Sequence, residues 1–414
     1  MQIAKNILFY VSIGIIVLIL GGLAGWYFYL RSKTSSTEAV DSARGLGIAP
    51  PTFPGGLGST AANNATGSTG TGNGQQSNPS TQRLWQVDHA PVAGTAFDIP
   101  SRISASSTDL YFAERASGYV FKANAQTQRT ERVSNTLLPK IYEALFIPGQ
   151  KAVLLRSLDE SGAITTFSAT YASTTAATSS SPVALAGRYL AKNIRSIALD
   201  PKTGALFYLT PDTARYGAIG STALWNGTKA KQVFSSPQYS WQTHYMGTKI
   251  VLTESAADDL LGYAYTLQGG TLVPLIGPVP GLQVLPHPSE NAFLYSASGV
   301  NALALYVQAG KSDPAALSIR TTTEKCVWAP GKSLIAYCAV PSSTGSQFLN
   351  RWHQGAVHTT DTWWEIDTAN RSARMFYSMP RALDVQNPQV DPSGNYIAFI
   401  NGSDQSLWLL RIAQ

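Results

Sequence analysis

Residues able to do chemistry are few in this chain, and they are scattered. Five His and two Cys stand among 414 residues, with neither the Cys/His spacing of a zinc site nor the His-Glu-x-x-His of a metalloprotease. His353 and His358 lie five apart with Asp361 close behind. No third ligand is evident, and the stretch reads as a solvated loop. Asp159-Glu160 and Asp258-Asp259 lack the Asp-x-Asp-x-Asp-Gly spacing of a calcium loop. A Gly-x-Ser-x-Gly elbow and a P-loop are both missing. No catalytic residue, metal or cofactor is therefore assigned, and the chain reads as a recognition protein rather than an enzyme.

Recognition has better candidates. Aromatic and Arg side chains carry most hot spots at protein interfaces. Phe348, Arg351, Trp352 and His353 fall in one long connection, 341–360, while Arg215 and Tyr216 fall in another, 210–221. These six are the candidate partner-binding residues. An alternative has Phe348 and Trp352 folding back as a cap on the body. Cys326 and Cys338 straddle a turn. If Ala329 opposes Ile335 across it, the two Cys face each other as a disulfide; a one-residue slip leaves two separate thiols.

The elements that position these residues are repeats. Asp391-Pro392-Ser393-Gly394 is a turn followed by two short apolar runs, Tyr396 to Ile400 and Leu407 to Ile412, separated by Asn401-Gly402-Ser403-Asp404. Similar units begin near Glu143, Ile197, Trp241, Leu282 and Cys326, and a degenerate one precedes Leu110. With the last that makes seven, spaced by about 47 residues, a blade-sized period. The Asp391 unit, and less fully Ala329-Pro330-Gly331, resemble the TolB-type, WD40-like propeller repeats. The resemblance implies an all-β, seven-bladed propeller over residues 83–414. The last unit has three strands, and Arg83 to Asp88 is expected to supply the fourth and close the ring. In such a ring the two long connections should rise on one face.

Upstream, a tail (1–6) precedes an uncharged stretch, 7–30, that would make about 36 Å of helix against a hydrocarbon core of about 30 Å. It reads as a single membrane span and uncleaved anchor. Residues 31–82 read as a flexible linker: Ser, Thr, Gly, Asn, Ala and Pro dominate, with no charge between Gly45 and Gln82. Four of the 30 Lys/Arg (Lys5, Arg31, Lys33, Arg44) and two of the 24 Asp/Glu (Glu38, Asp41) precede residue 83, leaving 26 against 22. So even a balance argues against a nucleic-acid partner. The expectation is a bacterial-type, single-pass protein displaying its propeller outside the cytoplasmic membrane, where it docks protein partners of the cell envelope. Glycan or cell-wall binding is one alternative. A hydrolase or lyase is another, and a cluster of His, Glu and Arg at the channel mouth would mark it.

Overall fold

The computed structural model describes residues 82–99, 108–171, 182–254, 256–299, 302–331 and 333–412. These belong to one compact unit, Gln76–Gln414. The expected span 7–30 and all of the linker but Gln82 lie outside the described residues. Among the described residues, no helix is long and apolar enough to cross a membrane.

Seven four-stranded antiparallel sheets follow one another along the chain, forming a seven-bladed propeller. Their first strands are Val92–Phe97, Glu143–Phe146, Ser196–Leu199, Trp241–Met246, Gln283–Pro286, Cys326–Trp328 and Val385–Val390. They line the axis, and several pack directly on the first strand of the next blade. Gly94 shows how closely: a Cβ there would lie 2.0 Å from the Ala144 carbonyl oxygen of the next blade, nearer than any side chain can sit. Second strands lie between neighbouring blades, so both of their faces are covered. They read as unbroken buried runs, such as Leu110 to Ala113, Leu206 to Leu209 and Ala336 to Ala339. Tyr337, Trp363, Phe399 and Leu410 share one core between blades six and seven, and Val92, Phe112, Ala398 and Leu409 share another between blades seven and one.

Blade seven is built from both ends of the propeller. Val385–Val390, Tyr396–Asn401 and Leu407–Arg411 supply three strands, and Leu84–Asp88 pairs outside them, with Leu84 opposite Leu410 and Trp85 opposite Leu409. Arg83 donates to the Arg411 and Ile412 carbonyls at 3.0 and 2.8 Å. Asp391 shapes the turn of this blade, accepting from the Asn395 and Tyr396 amides at 2.6 Å each.

The connection 210–221 differs from expectation. Leu206–Asp212 and Gly217–Ala223 are paired strands that continue into it, with Asp212 opposite Gly217, leaving a four-residue turn. Asp212 Oδ1 accepts from the Ala214 and Arg215 amides at 3.1 and 3.2 Å. Local hydrogen bonding thus ends the strands later than turn-forming residues such as Pro211 suggested. In blade six Cys326 opposes Cys338 in register, and the two form a disulfide with an S–S distance of 2.07 Å and Cα atoms 4.1 Å apart.

Candidate functional site

In each blade, the connection from second to third strand and the one leading to the next blade lie on the same face. That face carries a short helix, α1 (Phe348–His353), inside the long connection of blade six. Phe348, Leu349 and Trp352 fall on one side of its turns and are buried with Leu303 of blade five. The Trp352 indole N–H donates to both Asp384 oxygens at 2.9 and 3.0 Å. Asp258, from blade four, accepts from the Asn350 amide at 2.8 Å. The expectation that Phe348 and Trp352 face a partner is therefore corrected: an amphipathic turn buries its apolar side, so they cap the body. Arg351 and His353 lie on the solvent side.

Beneath the cap sits a fully buried cation. Lys325 Nζ donates to Asp384 Oδ1 at 2.6 Å, Asp361 Oδ2 at 2.7 Å, Thr359 Oγ1 at 2.8 Å and the Val385 carbonyl at 3.0 Å. The Trp352 ring covers it, 4.7 Å from Nζ to the centroid. The two carboxyls respond in opposite directions. Burial raises Asp361, and Lys325 offsets this only in part. Burial would raise Asp384 too, but Lys325, Thr359 and Trp352 outweigh it and hold this carboxyl below its ordinary value. His358 turns to Asp384, 3.2 Å from Nδ1 to Oδ2.

His353 turns instead to the channel, where its Nε2 lies 3.0 Å from Glu324 Oε2. Burial works against the charged ring, yet the Glu324 hydrogen bond and charge, with Asp258 behind, raise its pKa. The two histidines thus serve different acids, and among the described residues no group of three His, Cys, Asp or Glu gathers to hold a metal. A cavity of about 400 Å³ at the channel mouth is lined by Glu143, Arg156, Arg195, His244, Gln283 and Glu324, among others. Arg156 pairs with Glu143 and donates to the Ile194 carbonyl at 2.5 Å. His244 is held below its ordinary pKa by burial, which Glu324 offsets in part. His, Glu and Arg therefore do meet at this mouth.

Around the mouth, large apolar side chains stand in solvent: Leu137, Leu158, Tyr216, Tyr239, Leu260 and Leu261. All six lie on or beside connections of this one face. Tyr216 is 88% exposed at the tip of the Asp212 turn, with Arg215 beside it, also exposed. Arg195 stacks on Tyr239, its guanidinium carbon 4.5 Å from the ring centroid. Of the six sequence candidates, the structure exposes Arg215, Tyr216, Arg351 and His353 and buries the other two. Sequence reasoning missed Arg195, Tyr239 and Glu324, whose one signal is position: each sits just before the first strand of a blade.

No protein-family model matches the chain, and no curated protein matches it. Solved structures match in fold. The β-propeller domain of the Trilobed protease from Pyrococcus furiosus is 10% identical, with a TM-score of 0.49 over 77% of this chain and 98% of that one. Oligogalacturonate lyase from Vibrio parahaemolyticus is 7% identical, at 0.48 over 78% and 98%. The Pan2 WD40 domain of Neurospora crassa is 10% identical, at 0.47 over 78% and 90%. Enzymes stand among these neighbours, a protease's propeller domain and a lyase, so the expectation that the chain is not an enzyme is not upheld, and enzyme status is not established. The likeness is one of fold and establishes no activity here.

Proposed function

We propose that this propeller is a docking module for protein partners of the cell envelope, displayed outside the cytoplasmic membrane on the 31–82 linker and anchored by 7–30. The TolB-type turn grammar of the repeats belongs to the same reading. One observation carries it: six large apolar side chains stand exposed on a single face, interleaved with Arg195, Arg215 and Arg351. Exposed apolar groups rimmed by polar ones mark interaction surfaces, and Tyr with Arg is the hot-spot pairing. The Cys326–Cys338 bond supports an oxidising compartment. The test is to replace Tyr216 and Leu260 together by Ser and to measure partner retention alongside melting temperature. Retention should fall while melting stays the same. Alkaline phosphatase fused after Gln414 tests the compartment, and an inactive fusion would count against it.

A second reading rests on the channel mouth. Glu324, His353, Glu143, Arg156 and Arg195 form the cluster expected of a hydrolase or lyase acting on a polar polymer such as a glycan. A glycan array, followed by an assay for new reducing ends, tests it; loss of any signal in Glu324→Gln would assign the chemistry to this mouth.

A further inference from the structure

We propose that Lys325 and Asp361 become joined by an amide bond, an intramolecular isopeptide at the base of blade six, with Asp384 as proton carrier. The components of such a reaction sit together in a pocket shielded from bulk solvent. Lys325, Asp361 and Asp384 have no exposed side-chain surface, and Nζ is 2.7 Å from Asp361 and 2.6 Å from Asp384. One ammonium between two carboxylates leaves a net negative charge out of contact with water, an arrangement that buried ion clusters tolerate poorly. The two acids are not equivalent. Asp384 is held as a carboxylate by Trp352, His358 and Thr359. Asp361 Oδ1, by contrast, is buried with no hydrogen-bond partner, and burial biases this carboxyl towards its neutral, electrophilic form.

The step balances without any co-reactant. Nζ gives a proton to Asp384 and attacks Cγ of Asp361, forming the N–C bond. Negative charge collecting on Oδ2 meets the Val385 amide N–H, which already donates to that oxygen at 2.8 Å. Asp384 returns this proton to the Oδ1 hydroxyl of the neutral Asp361 carboxyl, the C–O bond breaks to release one water, and the second proton left on Nζ passes to Asp384. Nothing is oxidised or reduced. Thr359 Oγ1, within 2.8 Å of both Nζ and Asp384 Oδ1, lies on the proton's path. The product is a neutral amide beside a protonated Asp384, in place of the ion pair. The bond would close the loop from 325 to 361, which contains both the disulfide and α1, and so fix the base of the cap.

The experiment is intact-mass and peptide-mapping spectrometry on the full chain, purified in mild detergent with its disulfide reduced. The expected wild-type mass is one water below that of the sequence, and digestion should yield a branched peptide joining Lys325 to Asp361. Asp384→Asn and Lys325→Arg should keep their full sequence masses. A wild-type chain at full sequence mass overturns the proposal, as does a branch to Asp384. Both readings come from the wild type, so they stand even if the variants fail to fold.

Discussion

Arg195 and Tyr239 form a cation–π stack, 4.5 Å from guanidinium carbon to ring centroid, at the boundary between the polar channel mouth and its apolar rim. At an exposed site such a stack contributes about 0.5–1 kcal/mol. Its larger effect is to hold two hot-spot side chains ready before a partner arrives, which reduces the ordering cost of binding. Tyr239→Ala should therefore weaken partner binding by about thirtyfold or more, since hot-spot truncations cost about 2 kcal/mol or more and each 1.4 kcal/mol is a factor of about ten. Folding stability should fall by no more than the stack's own contribution, about 1 kcal/mol. Titration binding and denaturant unfolding on the same variant check both.

Trp352→Ala should behave in the opposite way. Its ring is buried against Phe348 and Leu303 and its N–H is held by Asp384, so truncation should cost about 3–5 kcal/mol. Arg351→Ala, one residue away and solvent-facing, should stay within about 0.5 kcal/mol. Chemical denaturation of the pair measures the contrast.

Removing the closing strand should open the ring. Leu84 and Val87 are buried in blade seven and beside it, and burying each contributes about 1.5–3 kcal/mol. Deletion of Arg83 to Asp88 should lower stability by at least about 3 kcal/mol, seen as an earlier melt. Unchanged melting would contradict the closure shown by the Leu84–Leu410 pairing.

The His353–Glu324 contact should give the cap a pH dependence. His353 is raised in the folded state by Glu324, so it binds its proton more tightly folded than unfolded. Its stabilisation is complete below the ordinary His value of about 6.5 and fades as pH rises through the raised folded value. Ring titration by NMR should place His353 above about 6.5 and show a downward shift in Glu324→Gln. The stability gap between the two proteins should shrink towards alkaline pH.

Gly94→Ala should destabilise the junction of blades one and two, because the new Cβ would press on the Ala144 carbonyl at 2.0 Å. Backbone shifts of this overpacking kind cost about 1–3 kcal/mol, measurable by thermal melting.

Much of the fold was legible because the blade grammar is local. Asp391 with its Pro-Ser-Gly turn, and the alternation of turns with apolar runs, are written within about a dozen residues. The site was legible only in part. Tyr216 and Arg215 were recognisable as turn residues of hot-spot type, but their turn was shorter than it read, since strand pairing around Pro211 is decided by the opposite strand. Trp352 and Phe348 have the composition of a binding loop, and only the three-dimensional neighbours Leu303 and Asp384 turn them inward. Lys325 gave no local signal. A Lys between Glu324 and Cys326 reads as a surface charge until Asp361 and Asp384, distant in sequence, close over it.

The central claim is that partners dock on the face bearing Tyr216, Tyr239 and Leu260. Site-specific photo-crosslinking in the native cell tests it most directly, with the photoreactive residue placed at Tyr216 or Leu260 and, for comparison, at the outer-strand positions Tyr189 and Met375. The account predicts discrete adducts from the first two positions, lost when Tyr239 is changed to Asp, and none from the outer strands. Adducts of equal yield from all four positions, or from the outer strands alone, would contradict it.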